Sequence, residues 1–228
     1  MIRTIAALAL QLSGVLSFAW AMHYQMYRIE MPERLSGNRN KFGGVWKYLT
    51  FLNMLLQFIF FTIALLSNFT KRLHGVRDLL FASAAFPIGM FVGIIFWSIW
   101  AVDRELIFPK VLDQYFPAIL NHLMHTTVIP LQLGQLLLVR HRFPTRTKGF
   151  AITGVLCLGY LAWINYIYYM TGFWVYPVIK VILVDLFLAT FLTLIRSRCS
   201  PLVRGSFSLH FVASWVAFSS SSETSLTR

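Results

Sequence analysis

Residues 120–139 read LNHLMHTTVIPLQLGQLLLV, a long apolar run with two histidines and two adjacent threonines near its start. A run of this length is sufficient to cross a bilayer as a helix. Ionisable groups are costly to bury at membrane depth, so intramembrane histidines are candidate functional residues. The polar stretch 121–127 is therefore the first candidate for a functional site.

The composition is that of a membrane protein with several spans. Of the 228 residues, 57% are hydrophobic and 12% are charged, and the mean hydropathy is +0.66. The apolar residues fall in long blocks rather than in alternating or amphipathic patterns, which is typical of membrane-spanning helices. A soluble domain of this length could not cover so much apolar surface.

Six apolar runs predict an all-α, polytopic membrane bundle of about six transmembrane helices. They cover residues 5–24, 46–67, 79–100, 120–139, 150–169 and 173–195. Pro87 lies inside the third run, where a proline usually marks a kink, and the fourth run contains Pro130. We expect a single transmembrane domain over residues 1–196, followed by a serine-rich tail over residues 197–228.

The net charge of +12 is concentrated in short loops between the apolar runs. Six spans place both termini on one side of the membrane. Eleven of the Lys and Arg residues near the spans fall on that side and seven on the other. The positive-inside rule therefore predicts cytosolic termini. We expect a multi-pass protein of the plasma membrane or the endoplasmic reticulum, with no nucleic-acid partner.

Two polar residues from different spans are predicted to lie at similar depth. Thr50 is four residues into the second run and His125 is five residues into the fourth, and both runs enter from the outer side. At 1.5 Å per residue they lie about 6 Å and about 7.5 Å below the starts of their spans. We therefore predict that the Thr50 hydroxyl and the His125 ring meet.

This pair suits nucleophilic catalysis. A threonine hydroxyl is a weak nucleophile until a base takes its proton, and a nearby histidine can do so near neutral pH. Thr50 and His125 are thus candidates for attack on an ester carbonyl through an acyl-threonine intermediate. Asn121, four residues before His125 on the same helical face, is the candidate to orient the imidazole. The sequence identifies no oxyanion donor.

The same residues also fit a structural role. Thr50, Asn53 and Gln57 lie on one helical face, and such polar side chains commonly bridge helices within membranes. A non-enzymatic membrane regulator, acting by binding a lipid or a partner protein, therefore remains an alternative to an enzyme.

A metal site is a further alternative. His122 and His125 are three residues apart, and His23 lies near the outer end of the first run. Zinc sites need three or four suitable ligands, yet no Asp or Glu lies within the second to fifth runs and no H-E-x-x-H pattern is present. We expect no metal and no cofactor, and keep a metal-dependent membrane enzyme as an alternative.

Six short motifs are distinctive in combination: WKYLT at 46–50, FW at 96–97, DRE at 103–105, PKVLD at 109–113, NHLMHTT at 121–127 and TGFWVYP at 171–177. Over about residues 31–178 they resemble the androgen-induced and androgen-dependent tissue-factor-pathway-inhibitor-regulating family. The resemblance implies a six-span hydrolase with a threonine nucleophile that cleaves fatty acid esters of hydroxy fatty acids. By motif, it assigns the catalytic threonine to Thr50 and the histidine to His125. After about Lys180 the chain departs from the family.

The implied substrate is a lipid ester that enters from the bilayer and carries a carboxylate. Lys47 is three residues before Thr50 on the same face, one turn nearer the surface, and is the first candidate to bind that carboxylate. Arg104 and Lys110 are alternatives, and Asn121 completes the candidate binding residues. Ordinary snorkelling of long cationic side chains to the interface also explains each cation.

Overall fold

The computed structural model describes residues 2–30, 42–176 and 179, and every regular element in these ranges is helical. The α-helices are α1 (Ile2–Tyr27), α2 (Leu49–Ser67), α3 (His74–Leu80), α4 (Phe86–Asp103), α5 (Ala118–His125), α6 (Val128–Leu138) and α7 (Arg146–Thr171). Short 3₁₀ helices cover Gly44–Lys47, Lys71–Leu73, Arg104–Leu106 and Lys110–Gln114, and a π-helical turn covers Phe81–Ala85. The all-α prediction is confirmed for this part of the chain.

Within the described residues, four helical segments are long and apolar enough to cross a membrane: Ile2–Tyr27, Leu49–Ser67, Lys71–Leu106 and Arg146–Thr171. They correspond to the first, second, third and fifth predicted spans. The helices described here belong to one unit, Met1–Ile179. The sixth predicted span and the serine-rich tail fall almost entirely outside the described residues, so the domain boundary at residue 196 stays a prediction.

The fourth predicted span is two helices, which corrects the expectation of one continuous helix. α5 ends at His125, three residues before α6 begins. Pro130 causes the break, because it has no N–H to donate to the Thr126 carbonyl and its ring crowds that carbonyl. The Thr126 N–H keeps its regular partner, the His122 carbonyl, at 2.8 Å, and the Thr127 N–H bonds to that same carbonyl at 2.9 Å, one residue farther back than in a regular α-helix. His125 is therefore the last residue of a helix.

Pro87 has a different effect, since the helix continues past it after a π-helical turn. The Ser83 carbonyl, which a residue with an N–H at position 87 would bond, accepts from Thr153 Oγ1 on α7 at 2.7 Å. Gln57 Nε2 on α2 donates to the Ala85 carbonyl at 2.8 Å. A neighbouring helix thus satisfies the carbonyl that the proline releases, and a second helix bonds to the backbone beside it.

The bundle has two polar ends, which α2 connects. At one end α2 begins with Leu49 and α5 ends with His125. At the other end α2 ends with Ser67. The start of α1 and the end of α6 also meet, because Arg3 Nε donates to the Leu138 carbonyl at 2.9 Å. A cation at the end of a helix stabilises its exposed carbonyls.

Candidate functional site

Thr50 lies in the first turn of α2 and is half-buried. The backbone of Tyr48 is extended, with φ −87° and ψ 125°, and its carbonyl accepts from the N–H groups of Phe51 and Leu52 at 3.0 and 3.2 Å. The N–H groups of Leu49 and Thr50 are in the first turn, where a helix provides no carbonyl partner. The candidate nucleophile therefore stands at a helix terminus whose backbone donors need partners from outside the helix.

The structure brings Thr50 and His125 together. Thr50 Oγ1 is 3.3 Å from Nε2 of His125. On the other edge of the ring, Nδ1 lies 2.8 Å from Asn121 Oδ1 and 3.1 Å from the Asn121 carbonyl oxygen. Both oxygens are acceptors, so Nδ1 carries the proton and Nε2 accepts the hydrogen of the Thr50 hydroxyl. The imidazole is thus in the tautomer that a general base requires.

Packing also holds the His125 ring. Phe96 stacks on it with centroids 3.5 Å apart and planes 8° from parallel, and each side chain is buried with 4% exposed. Gly93 lies one turn before Phe96 on α4, and a Cβ there would be 2.8 Å from the His125 carbonyl oxygen. The close approach of α4 and α5 therefore depends on a residue without a side chain.

Aromatic residues that the sequence analysis did not single out hold the segment before Thr50. The Tyr160 hydroxyl on α7 donates to the Lys47 carbonyl at 3.0 Å. Trp163 Nε1, one turn later on α7, donates to the Trp46 carbonyl at 3.2 Å. These two bonds anchor the start of α2 to α7.

A third aromatic side chain reaches the same place from beyond α7. The Leu49 N–H lies 2.8 Å from the hydroxyl oxygen of Tyr176 and 3.0 Å from that of Tyr160. The sequence signal for these contacts is modest: tyrosines cluster toward the end of the fifth apolar run, and Tyr176 lies in the 171–177 motif. Hydropathy does not reveal which helix such side chains contact.

Of the candidate cations, Lys47 lies nearest to Thr50 along the chain, just before α2. It is buried, with 3% of its surface exposed, and its ammonium lies 5.6 Å from the centroid of the Tyr48 ring. Its carbonyl is part of the contact with α7, so Lys47 is positioned immediately before the helix that carries Thr50.

Arg104 and Lys110 are engaged in the loop between α4 and α5. The Arg104 guanidinium stacks over Trp100 at 4.2 Å and pairs with Asp113 at 2.7 Å. The backbone N–H of Lys110 donates to Glu105 Oε1 at 3.1 Å, and its side chain is exposed. The charge of Arg104 is therefore already neutralised within its own loop.

A second histidine–threonine pair occupies the exposed face of the same stretch. Nδ1 of His122 is 3.0 Å from Thr126 Oγ1, and Trp97 Nε1 donates to that oxygen at 3.2 Å. Both residues are exposed, unlike His125. This pair is a matched comparison for Thr50 and His125, because the residue types are the same and only the surroundings differ.

The residues considered as metal ligands have separate neighbours. Within the described ranges, no three His, Cys, Asp or Glu side chains are grouped so as to hold a metal ion. His23 packs against Tyr27 with ring centroids 5.2 Å apart, whereas His122 and His125 each face a threonine hydroxyl.

A buried ionic cluster lies at the other end of the bundle. Asp78 Oδ1 accepts from Arg77 Nε and from His141 Nδ1, both at 2.8 Å, and Oδ2 accepts from the Arg142 N–H at 2.9 Å. The His141 ring stacks on Phe81 with centroids 4.2 Å apart. Burial holds the pKa of His141 below its ordinary value, although the Asp78 carboxylate opposes this. The cluster joins the loop after α6 to α3.

Buried amides link α1, α2 and α6 between the two ends. Gln57 Nε2 donates to Asn53 Oδ1 at 3.0 Å, and Gln132 Nε2 donates to Gln57 Oε1. Gln11 Nε2 on α1 donates to Gln135 Oε1 on α6 at 3.2 Å. Of the two amides that follow Thr50 on its helical face, Gln57 therefore bridges helices and Asn53 bonds to Gln57 within α2, while the threonine itself faces an imidazole.

These features define a multi-pass membrane protein with a threonine, a histidine and an asparagine in hydrogen-bonded series at one end of its helical bundle. The chain belongs to the family described as FAR-17a/AIG1-like protein, which it matches over residues 6–202. The match confirms the family resemblance and extends it at both ends beyond the 31–178 expected from the motifs.

Named relatives show the same kinship. The human androgen-induced gene 1 protein is 38% identical over 168 residues, which cover 67% of this chain and 68% of that protein. The androgen-dependent TFPI-regulating protein of Mesocricetus auratus is 45% identical over 145 residues, covering 60% and 63%. A Schizosaccharomyces pombe protein whose name describes a membrane protein is 26% identical over 156 residues, covering 63% and 66%. The chain thus spans about two thirds of the length of these relatives. No solved structure matches the chain.

Proposed function

We propose that the protein is a membrane-embedded threonine hydrolase that cleaves the ester bond of fatty acid esters of hydroxy fatty acids. The observation that carries the proposal is the series of contacts from Thr50 Oγ1 to His125 Nε2, at 3.3 Å, and from His125 Nδ1 to Asn121 Oδ1, at 2.8 Å. A nucleophile beside a base that a third group orients is the arrangement on which many covalent hydrolases rely. The motif resemblance supports the substrate class.

The proposed reaction has two steps. In the first, Thr50 Oγ1 attacks the ester carbonyl carbon and its proton passes to His125 Nε2. The intermediate collapses, and His125 returns that proton to the departing alkoxide, which leaves as the hydroxy fatty acid. In the second, His125 takes a proton from water, and the hydroxide attacks the acyl-threonine. The fatty acid leaves, and Thr50 regains its proton.

The proposed setting is the bilayer interface. Residues 173–195 would supply a sixth span, which places both termini in the cytosol and the Thr50 end of the bundle at the outer surface. A lipid ester would enter sideways from the membrane, with its carboxylate held by Lys47. Burial of Lys47 beside the start of α2 supports this role for its side chain. The proposed location is the plasma membrane or the membrane of the endoplasmic reticulum.

Hydrolysis of a branched fatty acid ester by the purified full chain tests the proposal. Thr50→Ala and His125→Ala should each lower turnover by at least about 10²-fold, because each removes a participant in proton transfer or covalent catalysis. Thr126→Ala and His122→Ala are the matched controls and should keep turnover near that of the wild type. Wild-type turnover in Thr50→Ala would remove Thr50 as the nucleophile.

An activity-based fluorophosphonate probe separates an enzyme from a regulator that only binds lipid or protein. Labelling of the wild type should be lost in Thr50→Ala and retained in Thr126→Ala. A folded wild-type protein that neither reacts with the probe nor hydrolyses the ester would contradict the hydrolase and favour the regulator. Activity that falls on chelation and returns with metal would instead favour a metal-dependent enzyme.

A further inference from the structure

Two tyrosine hydroxyls meet at the beginning of the helix that carries Thr50. The Leu49 N–H lies between them, 2.8 Å from the Tyr176 oxygen and 3.0 Å from the Tyr160 oxygen. The two oxygens are 3.5 Å apart. Tyr176 also lies next to the backbone N–H and the side chain of Thr50. Both hydroxyls are therefore close to the candidate nucleophile, but their hydrogens have different destinations.

The hydrogen of Tyr160 is already used. Tyr160 donates to the Lys47 carbonyl at 3.0 Å, which fixes the backbone two residues before Leu49. The Tyr176 oxygen accepts from the Leu49 N–H at 2.8 Å, and Thr50 is the next residue along the chain. Because the Tyr160 hydrogen is used on Lys47, Tyr176 is the hydroxyl that has a hydrogen to offer on the side of Thr50. Tyr160 thus has a positioning contact, whereas Tyr176 presents a donor at the reacting atom.

We propose that the Tyr176 hydroxyl donates a hydrogen bond to the oxyanion that forms when Thr50 attacks the substrate ester, which makes Tyr176 a catalytic residue. This inference rests on the hydrolase function proposed above. The sequence identified no group for that role, and hydrolysis through a tetrahedral intermediate requires one. The Leu49 N–H that donates to the Tyr176 oxygen polarises the O–H bond of Tyr176, which strengthens the bond that this group donates.

The step balances without a further reactant. As the bond from Thr50 Oγ1 to the carbonyl carbon forms, an electron pair moves onto the carbonyl oxygen and the Thr50 proton passes to His125. The Tyr176 hydrogen turns to that oxygen. Tyr176 keeps its proton throughout. On collapse the pair returns to restore the carbonyl, and the alkoxide leaves with the proton from His125.

The kinetic test compares Tyr176→Phe with Tyr160→Phe in the full-length protein. Removing one oxyanion donor lowers kcat by roughly 10²- to 10³-fold while the substrate remains bound, so KM should change little in Tyr176→Phe. Tyr160→Phe removes a backbone anchor and should lower thermal stability, with a smaller loss in kcat. A wild-type kcat in a folded Tyr176→Phe protein would overturn the inference.

A fatty acyl trifluoromethyl ketone supplies a readout that a structural role would not move. Thr50 Oγ1 adds to the carbonyl carbon of this ketone and forms a stable oxyanion. The corresponding ether has no carbonyl and only occupies the binding site. Tyr176→Phe should weaken the ketone by about the same factor as kcat/KM and leave ether binding unchanged. Equal weakening of ketone and ether would assign Tyr176 a positioning role and contradict the proposal.

A second variant covers the case in which Tyr176→Phe does not fold. Replacing Tyr176 by 3-fluorotyrosine keeps the hydroxyl in place and makes it more acidic, so the ketone affinity should shift while ether affinity and stability stay the same. An unchanged ketone affinity would overturn the inference. Thr50→Ala separates the two proposals. If Thr50→Ala retains turnover, the hydrolase proposal fails. If Thr50→Ala is inactive but the Tyr176 variants behave as wild type, only the oxyanion role of Tyr176 fails.

Discussion

Asn121 accepts a hydrogen bond from Nδ1 of His125 at 2.8 Å, and the two residues lie one turn apart on α5. Because the same helix carries both, the amide fixes the rotation of the imidazole and the nitrogen that bears the proton. The opposite nitrogen is then turned to Thr50. The tautomer of His125 is therefore set within α5, and the packing of α2 against α5 has only to bring Thr50 within hydrogen-bond distance of the ring.

The first prediction concerns this contact. Asn121→Ala removes the side-chain acceptor on Nδ1, leaves only the longer contact with the backbone carbonyl at 3.1 Å, and should lower kcat on the order of 10-fold to 100-fold, because the ring spends less time in the tautomer that accepts from Thr50. Asn121→Asp keeps an oxygen acceptor and should lose less. The measurement is kcat of purified protein at fixed pH, and equal losses in the two variants would contradict an orienting role.

The second prediction concerns the approach of α4 to α5. A Cβ at Gly93 would lie 2.8 Å from the His125 carbonyl oxygen and also close to Ile129. Gly93→Ala should therefore destabilise the protein by about 1–3 kcal/mol and displace the histidine, so activity falls as well. Unfolding in mixed detergent micelles and ester hydrolysis measure the two effects.

Gly159 provides the control, because a Cβ there would meet no heavy atom within 4 Å. Gly159→Ala should be neutral or slightly stabilising, since alanine favours a helix over glycine by up to about 1 kcal/mol. If both alanine variants behaved alike, the crowding at Gly93 would not be the cause.

The third prediction concerns the ionic cluster. Asp78→Ala leaves the Arg77 guanidinium buried without its carboxylate and should cost about 3–5 kcal/mol of unfolding free energy. The side chains of this pair are 8% and 4% exposed. In contrast, Asp113→Ala breaks a pair whose side chains are 22% and 54% exposed and should cost less than about 1 kcal/mol. Comparable losses in the two variants would show that burial does not set the cost.

The fourth prediction is a pH dependence of stability. The pKa of His141 is lower in the folded protein than its ordinary value, and burial is the main cause. The unfolded chain therefore binds more protons at this residue, so its contribution to stability is present above about pH 6.5 and is lost as the pH falls toward the folded pKa. The wild type should lose stability on acidification through this range.

His141→Asn is the matched variant for that measurement. Its amide nitrogen replaces Nδ1 as the donor to Asp78 but does not titrate. The difference in unfolding free energy between the wild type and His141→Asn should therefore change with pH below about 6.5. A difference that stays constant across that range would contradict the assignment of the titration to His141.

Hydropathy was sufficient for the helices that span the bundle, because a bilayer requires long apolar blocks whatever their neighbours. The positions of the two prolines can be read from the sequence, but hydropathy does not distinguish their effects on the helices. Pro87 is accommodated because Thr153 satisfies the Ser83 carbonyl. Pro130, in contrast, interrupts the backbone hydrogen bonds of the helix and divides the fourth run into two helices. The outcome depends on what a neighbouring helix offers, which a single run of sequence does not contain.

Depth and helical spacing likewise placed only part of the candidate site. The proximity of Thr50 and His125 followed from depth, and the contact of Asn121 with His125 from spacing within one helix. The contacts of Phe96, Tyr160 and Tyr176 with the site were not predicted, because they depend on how each helix is rotated about its axis. Hydropathy averages over that rotation.

The helix Leu49–Ser67 has a consequence for experiments in sealed vesicles. Its 19 residues separate the candidate nucleophile from the ionic cluster by about 28 Å, close to the thickness of the hydrocarbon core. A water-soluble reagent confined to one compartment would then reach only one of the two. Acidifying the lumen and acidifying the bath should affect different properties of the same molecule.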